Sequence, residues 1–187
     1  MSKAMIVLIT IVVLILLAFG KYVSVKNTLV AKNEAVKSAW SQVDVVLQRR
    51  ADLIPNLVET VKGYATHEKD TFENIAKFRS MAMQATGPAD KAAAENQLTG
   101  ALKSLFAVAE NYPQLQASQE FTQLQNSLSE IEDAIQNARR YYNAVVRDLN
   151  TKIQSFPTNI LAGMFGFQQK QFFEAAAADR EPVAVKF

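Results

Sequence analysis

The sequence predicts an all-α protein: a single N-terminal transmembrane helix followed by an antiparallel four-helix bundle with long helices. Three observations carry this. Ala4 to Gly20, AMIVLITIVVLILLAFG, runs without a charge. Phe121, Leu124, Leu128, Ile131, Ile135, Ala138, Tyr142, Val145 and Leu149 alternate steps of three and four, a seam sustained over about four heptads. Helix breakers are scarce, with 6 glycines and 5 prolines in 187 residues, which favours long helices and few connections.

The apolar run comes first. As a helix it spans roughly 26 Å, near the lower limit for crossing a bilayer. Tyr22, Val23 and Val25 lengthen it, and Lys21 is able to snorkel to the interface. A cleaved signal peptide is the alternative, since Ala18-Phe19-Gly20 offers a small-x-small site. The run exceeds a usual signal core, which favours an uncleaved anchor. Lys3 precedes the segment, whereas Lys21, Lys26, Lys32 and Lys37 follow it. The positive-inside rule then puts the bulk of the chain in the cytoplasm, with Lys3 the one charge arguing for the reverse.

Three regions are expected: an anchor over residues 1–24, a bundle over 25–155, and a phenylalanine-rich, membrane-proximal segment over 156–187. The first bundle helix is predicted from about Val25 to Arg49, turning Leu29, Val36, Trp40, Val43 and Leu47 inward. In RRADLIP, Pro55 removes a donor and biases Ile54 away from helix, while Asp52 is a candidate N-cap. This predicts a helical hairpin corner over residues 49–56; one kinked helix is the alternative.

The second helix is expected from about Pro55 to Gln84, with Ile54, Leu57, Val58, Val61, Tyr64, Ala65, Phe72, Ile75 and Phe78 along its apolar pattern. Gly63 inside it costs up to about 1 kcal/mol relative to alanine. TGPADK, from Thr86 to Lys91, breaks the chain before a third helix over about Ala89 to Asn111, with Leu98, Leu102, Leu105, Phe106 and Ala109 inward. NYP, from Asn111 to Pro113, breaks it again. The seam of the fourth helix is best used inside one chain, where such spacing gives bundle packing with a slight left-handed supercoil.

The stretch RRADLIPNLVETVKGYA, placed after AWSQVD, closely resembles the signature of the LemA family. The spacing from the apolar N-terminal segment fits as well. The resemblance implies a membrane-anchored four-helix domain of bacteria with the bulk of the chain in the cytoplasm. It implies no well-established biochemical activity.

Residue chemistry points the same way. With one histidine, His67, and no glutamate three residues before it, the Glu-x-x-His pairs of a di-iron bundle are missing. Zero cysteines exclude disulfides, zinc thiolates and cysteine nucleophiles. Gly163 and Gly166 lack the Lys-Ser/Thr of a phosphate loop, and no Gly-x-Ser-x-Gly elbow occurs. Glu130, Glu132 and Asp133 read as a solvated helix face. No enzyme activity, metal or cofactor is expected, and a net charge of +2 gives no footprint for nucleic acid.

Two residue groups are candidates for contacts. Arg49, Arg50, Asp52 and Asn56 at the predicted corner, with Asn111 and Tyr112 at the next, would form one distal surface for a partner. The competing account is local: arginines favour a helix C-terminus and Asp52 caps the next helix. Pro157 is expected to stop the fourth helix, and Phe156, Ile160, Leu161, Met164, Phe165 and Phe167 belong to a nearly uncharged segment from Phe156 onward, suited to the membrane interface, a subunit contact or the bundle side. It is too short and glycine-punctuated to span the bilayer, and Glu174–Phe187 is expected to be weakly ordered. The resulting expectation is a non-enzymatic scaffold or interaction module of the bacterial inner membrane. Its partners would be the lipid bilayer, further copies of itself and another membrane protein. The rival is a membrane-state sensor or adaptor signalling through the distal tip.

Overall fold

Sixty residues, Lys3–Lys62, form one helix, α1, in the computed structural model of the chain, which describes residues 2–173. The others are α2 (Lys69–Gln84), α3 (Pro88–Ala109), α4 (Pro113–Gln116), α5 (Gln119–Gln154) and α6 (Thr158–Met164). No strand occurs among the described residues, so the fold is all-α with a long apolar N-terminal helix. Of the expected C-terminal segment, residues 174–187 lie outside the described residues.

The hairpin corner expected over residues 49–56 is not there. Pro55 lies inside α1, and the chain turns instead at Gly63–Glu68. The reason is long-range. A proline at position 55 strips the Ala51 carbonyl of its helical donor. Arg79 of α2 replaces that donor, its Nε–H donating to the Ala51 oxygen at 2.6 Å. Asp52 caps nothing; it accepts from Gln48 Nε2 at 2.8 Å along the same helix. Gly63, expected inside a helix, instead ends one, and Tyr64 is exposed.

The described residues divide into two compact units, residues 2–39 with 144–170 and residues 40–143 with 171–173. In the first, the side chains from Met5 to Phe19 are bare, and burial along α1 begins at Leu29. Leu29, Val36 and Ala39 are buried there, as are Val146 and Leu149 of α5. Val146 replaces the expected Val145, which is half-buried. Asn150 clamps the chain after α6 by accepting the Lys170 N–H at 2.8 Å and donating to its carbonyl at 2.9 Å.

In the second unit, Ile54, Leu57, Val61, Phe72, Ile75, Leu98, Leu102, Leu105, Leu115, Phe121 and Leu128 close one core. The α2–α3 turn is Ala85–Gly87; Gly87 takes φ 85°, which glycine adopts without penalty, and Pro88 opens α3. Asp44 meets Lys91 at 2.8 Å and Arg50 meets Glu95, so partners rise together along α1 and α3. Along α5 the order reverses: Trp40 packs at a tilt against Tyr142 with centroids 5.4 Å apart, and Arg50 reaches Glu132. Asn143 holds Phe173 through both backbone groups, at 2.9 and 3.0 Å, and the ring is buried against Trp40.

Candidate functional site

A charged residue stands in the apolar stripe of each of three helices. Arg50 follows Leu47 by three residues and precedes Ile54 by four; Glu95 precedes Leu98 by three; Glu132 lies between Leu128 and Ile135. Helical spacing therefore aims all three inward. The Arg50 guanidinium, 2% exposed, bridges Glu95 through Nη2 and Glu132 through Nη1 at 2.5 Å. Nη1 also donates to Thr99 Oγ1 at 3.1 Å, while Nε is buried without a hydrogen-bond partner. One side chain thus ties α1 to α3 and α5.

The electrostatics are those of a buried pair. Burial pushes the Glu95 carboxyl above the usual carboxylate range, against the pull of Arg50 and then Lys91. Beside the cluster lies a cleft of about 820 Å³, floored by Leu47, Leu102 and Ile135 and edged by Lys103 and Arg140. No group of His, Cys, Asp or Glu with metal-holding geometry occurs among the described residues.

The structure redistributes the residues singled out for a partner surface. Arg50 is withdrawn from it, since its guanidinium is buried and bonded within the unit. Arg49, Asp52 and Asn56 are exposed along α1. Asn111 and Tyr112 lie between α3 and α4, whereas residues 49–56 lie within α1, so no corner stands at residues 49–56 to share a surface with them. In the C-terminal segment Phe156, Ile160 and Met164 are exposed, whereas Leu161, Phe165 and Phe167 are half-buried.

Glu95, Thr99, Arg79, Asn143 and Phe173 were not legible as functional or positioning residues. For Glu95 a signal existed, a carboxylate at helical spacing from Leu98 and Leu102 in an otherwise apolar stripe. For Arg79 and Asn143 there was none, because their partners are backbone groups distant in sequence.

Beyond the cluster, a second surface stands open. Val45, 56% exposed, and Tyr141, 51% exposed, flank a shallow groove of about 620 Å³ lined by Ser41, Val46, Ala134 and Ala138. Among the described residues one helix, α1, is long and apolar enough to cross a membrane, and the most apolar part of it is wholly unburied.

These features define a class: all-helical proteins with an N-terminal helix of membrane-anchor character. The LemA family model matches residues 39–187, and the chain belongs to the LemA family. It is 29% identical to magnetosome protein MamQ 2 of Paramagnetospirillum magneticum over 183 residues, covering 84% of this chain and 67% of that protein. Protein LemA of Metamycoplasma hominis is 28% identical over 166 residues, covering 87% and 74%. Magnetosome protein MamQ of Magnetospirillum gryphiswaldense is 26% identical over 183 residues, covering 84% and 67%.

Proposed function

We propose that this chain is a non-enzymatic scaffold or interaction module, anchored by residues 4–20 in the bacterial inner membrane with its bulk in the cytoplasm. The observation that carries this reading is the continuity of α1, in which one helix leads from bare apolar residues into the packed core at Leu29 and beyond. In this reading α1 beyond the anchor, α2, α3 and α5 act as an antiparallel four-helix bundle. The bundle gathers partners, including further copies of itself and another membrane protein. The groove between Val45 and Tyr141 supports self-association, because its small residues let another helix approach and its apolar rim favours burial. Exposed Arg49, Asp52 and Asn56 continue along α1 and are candidates for the polar rim of that contact.

The chain has no cysteine, so introduced thiols report cleanly. Val45→Cys and Tyr141→Cys in native membranes are expected to give oxidative crosslinks between copies, or to a second membrane protein. Met83→Cys, exposed on α2, is the control. Crosslinks no more frequent at the groove than at Met83 overturn the self-association reading. Ser80→Cys resisting a membrane-impermeant thiol reagent in intact spheroplasts supports the orientation, and ready labelling reverses it. A sensor or adaptor role is the second reading, favoured by the same continuous helix. It requires hydrogen exchange in α2 and α3 to change when the chain enters a membrane.

A further inference from the structure

Ile160 and Met164 stand four apart on α6, which puts them on one side of it, and Phe156 lies in the turn before it. Phe156, Ile160 and Met164 are 81%, 58% and 71% exposed. The opposite side of the helix is spent on the fold: Thr158 and Ala162, also four apart, are buried. Seven residues, Thr158–Met164, therefore form a helix with one face packed and a second apolar face bare. At roughly 10 Å it cannot cross a bilayer core of about 30 Å.

The contacts at the end of α6 point to the occupant of that face. Phe165, at the end of α6, meets Tyr22 edge-on with centroids 5.0 Å apart, and Lys26 Nζ stands 5.6 Å from the same ring. Tyr22 and Lys26 follow the uncharged run of α1 by two to six residues, about 3–9 Å further along that helix. A tyrosine, a lysine and phenylalanines at the end of an apolar span are the composition of the membrane–water interface. Phe165 thus joins α6 to α1 just beyond the uncharged run, next to the bare face.

We infer that α6 is a second membrane-contacting element, laying Phe156, Ile160 and Met164 into the bilayer interface beside the point where α1 emerges. The inference rests on the anchored reading above and adds to it a lipid-facing surface outside the spanning segment. By packing on α1 through Phe165, α6 gives the anchor a lateral foot and fixes how far α1 is drawn out of the bilayer.

The test uses the full chain, reconstituted in phosphatidylethanolamine–phosphatidylglycerol vesicles. Single nitroxide labels go on Phe156→Cys, Ile160→Cys and Met164→Cys. Val12→Cys serves as the anchor reference and Glu130→Cys as the water reference. Collision rates with oxygen, enriched in lipid, and with a nickel chelate, confined to water, give the immersion depth. The expected result is an oxygen-to-nickel ratio at Ile160 and Met164 several-fold above that at Glu130, and below that at Val12. A water-like ratio on α6 with a high ratio at Val12 overturns the inference and leaves the anchor standing. A water-like ratio at Val12 removes the anchored reading and the inference together. Labels shielded from both reagents, with spin–spin broadening that vanishes on dilution with unlabelled chain, assign the face to a subunit contact and overturn it too.

Discussion

Removing the Arg79 guanidinium is expected to destabilise the chain through the carbonyl that Pro55 leaves unpaired. Pro55 leaves the Ala51 carbonyl without its helical N–H, and Ala51 is only 3% exposed, so water is a poor substitute. A buried acceptor left unpaired costs about 1–3 kcal/mol, and a hydrogen bond from a charged donor contributes about 1.5–3 kcal/mol. The Arg79 Nε–H at 2.6 Å fills that role. Arg79→Met, which keeps most of the aliphatic stem, should therefore cost about 2 kcal/mol. For a chain of this size that lowers Tm by about 4–8 °C.

The reasoning is exposed by a double-mutant cycle. In Pro55→Ala the new alanine N–H can donate to Ala51, so the carbonyl no longer depends on Arg79. There, Arg79→Met should cost less than about 1 kcal/mol, a coupling of roughly 1 kcal/mol or more between residues that share one acceptor. Denaturation of the four proteins in mild detergent, followed by helical circular dichroism, measures it. If the Arg79→Met losses in the two backgrounds agree within about 0.5 kcal/mol, Arg79 acts by packing alone and the account of the missing corner fails.

Other outcomes follow from the buried cluster and the clamp. Arg50→Ala leaves Glu95 buried without its guanidinium and should cost about 3–5 kcal/mol in denaturation midpoint analysis, whereas Arg50→Met with Glu95→Leu should recover most of it. Because burial raises the Glu95 carboxyl, the folded state keeps this proton to higher pH than the unfolded chain does. This group therefore makes stability fall as pH rises from the ordinary carboxylate range through the raised value. Glu95→Gln should flatten that limb of a stability–pH curve, whatever it does to the absolute value. Phe173→Ala opens the site beside Trp40, the single tryptophan, and should red-shift its emission while costing about 3–5 kcal/mol.

Much of the fold was legible because burial follows period. Leu29, Val36, Val43, Leu47, Leu98, Leu102, Leu105, Phe121, Leu128, Ile135 and Tyr142 were placed inward from spacing alone, and each is buried. The candidate site was not. Arg50 looked like a corner residue because its ion-pair partners lie 45 and 82 residues away, beyond any local pattern. Nothing local separates Phe173 from the other aromatic residues of the C-terminal segment. What holds it in place is a pair of hydrogen bonds exchanged with Asn143, thirty residues earlier, and the Trp40 ring.

The prolines show why punctuation rules succeed in one place and fail in another. Pro88 and Pro113 open α3 and α4, and Pro157 stands at the N-cap of α6, positions whose N–H has no intrahelical acceptor to lose. At these sites the local rule is sufficient, and the expected breaks near Thr86–Lys91, Asn111–Pro113 and Pro157 appear. Pro55 lies deep inside a helix, where the rule predicts a break costing about 3 kcal/mol. It is overruled because Leu57, Val58 and Val61, which continue the stripe beyond it, are buried, and because Arg79 answers the orphaned carbonyl. Burying side chains of that kind gives about 1.5–3 kcal/mol each, enough to outweigh one kinked turn. The sequence cue that separates the two cases is the unbroken apolar period on both sides of the proline.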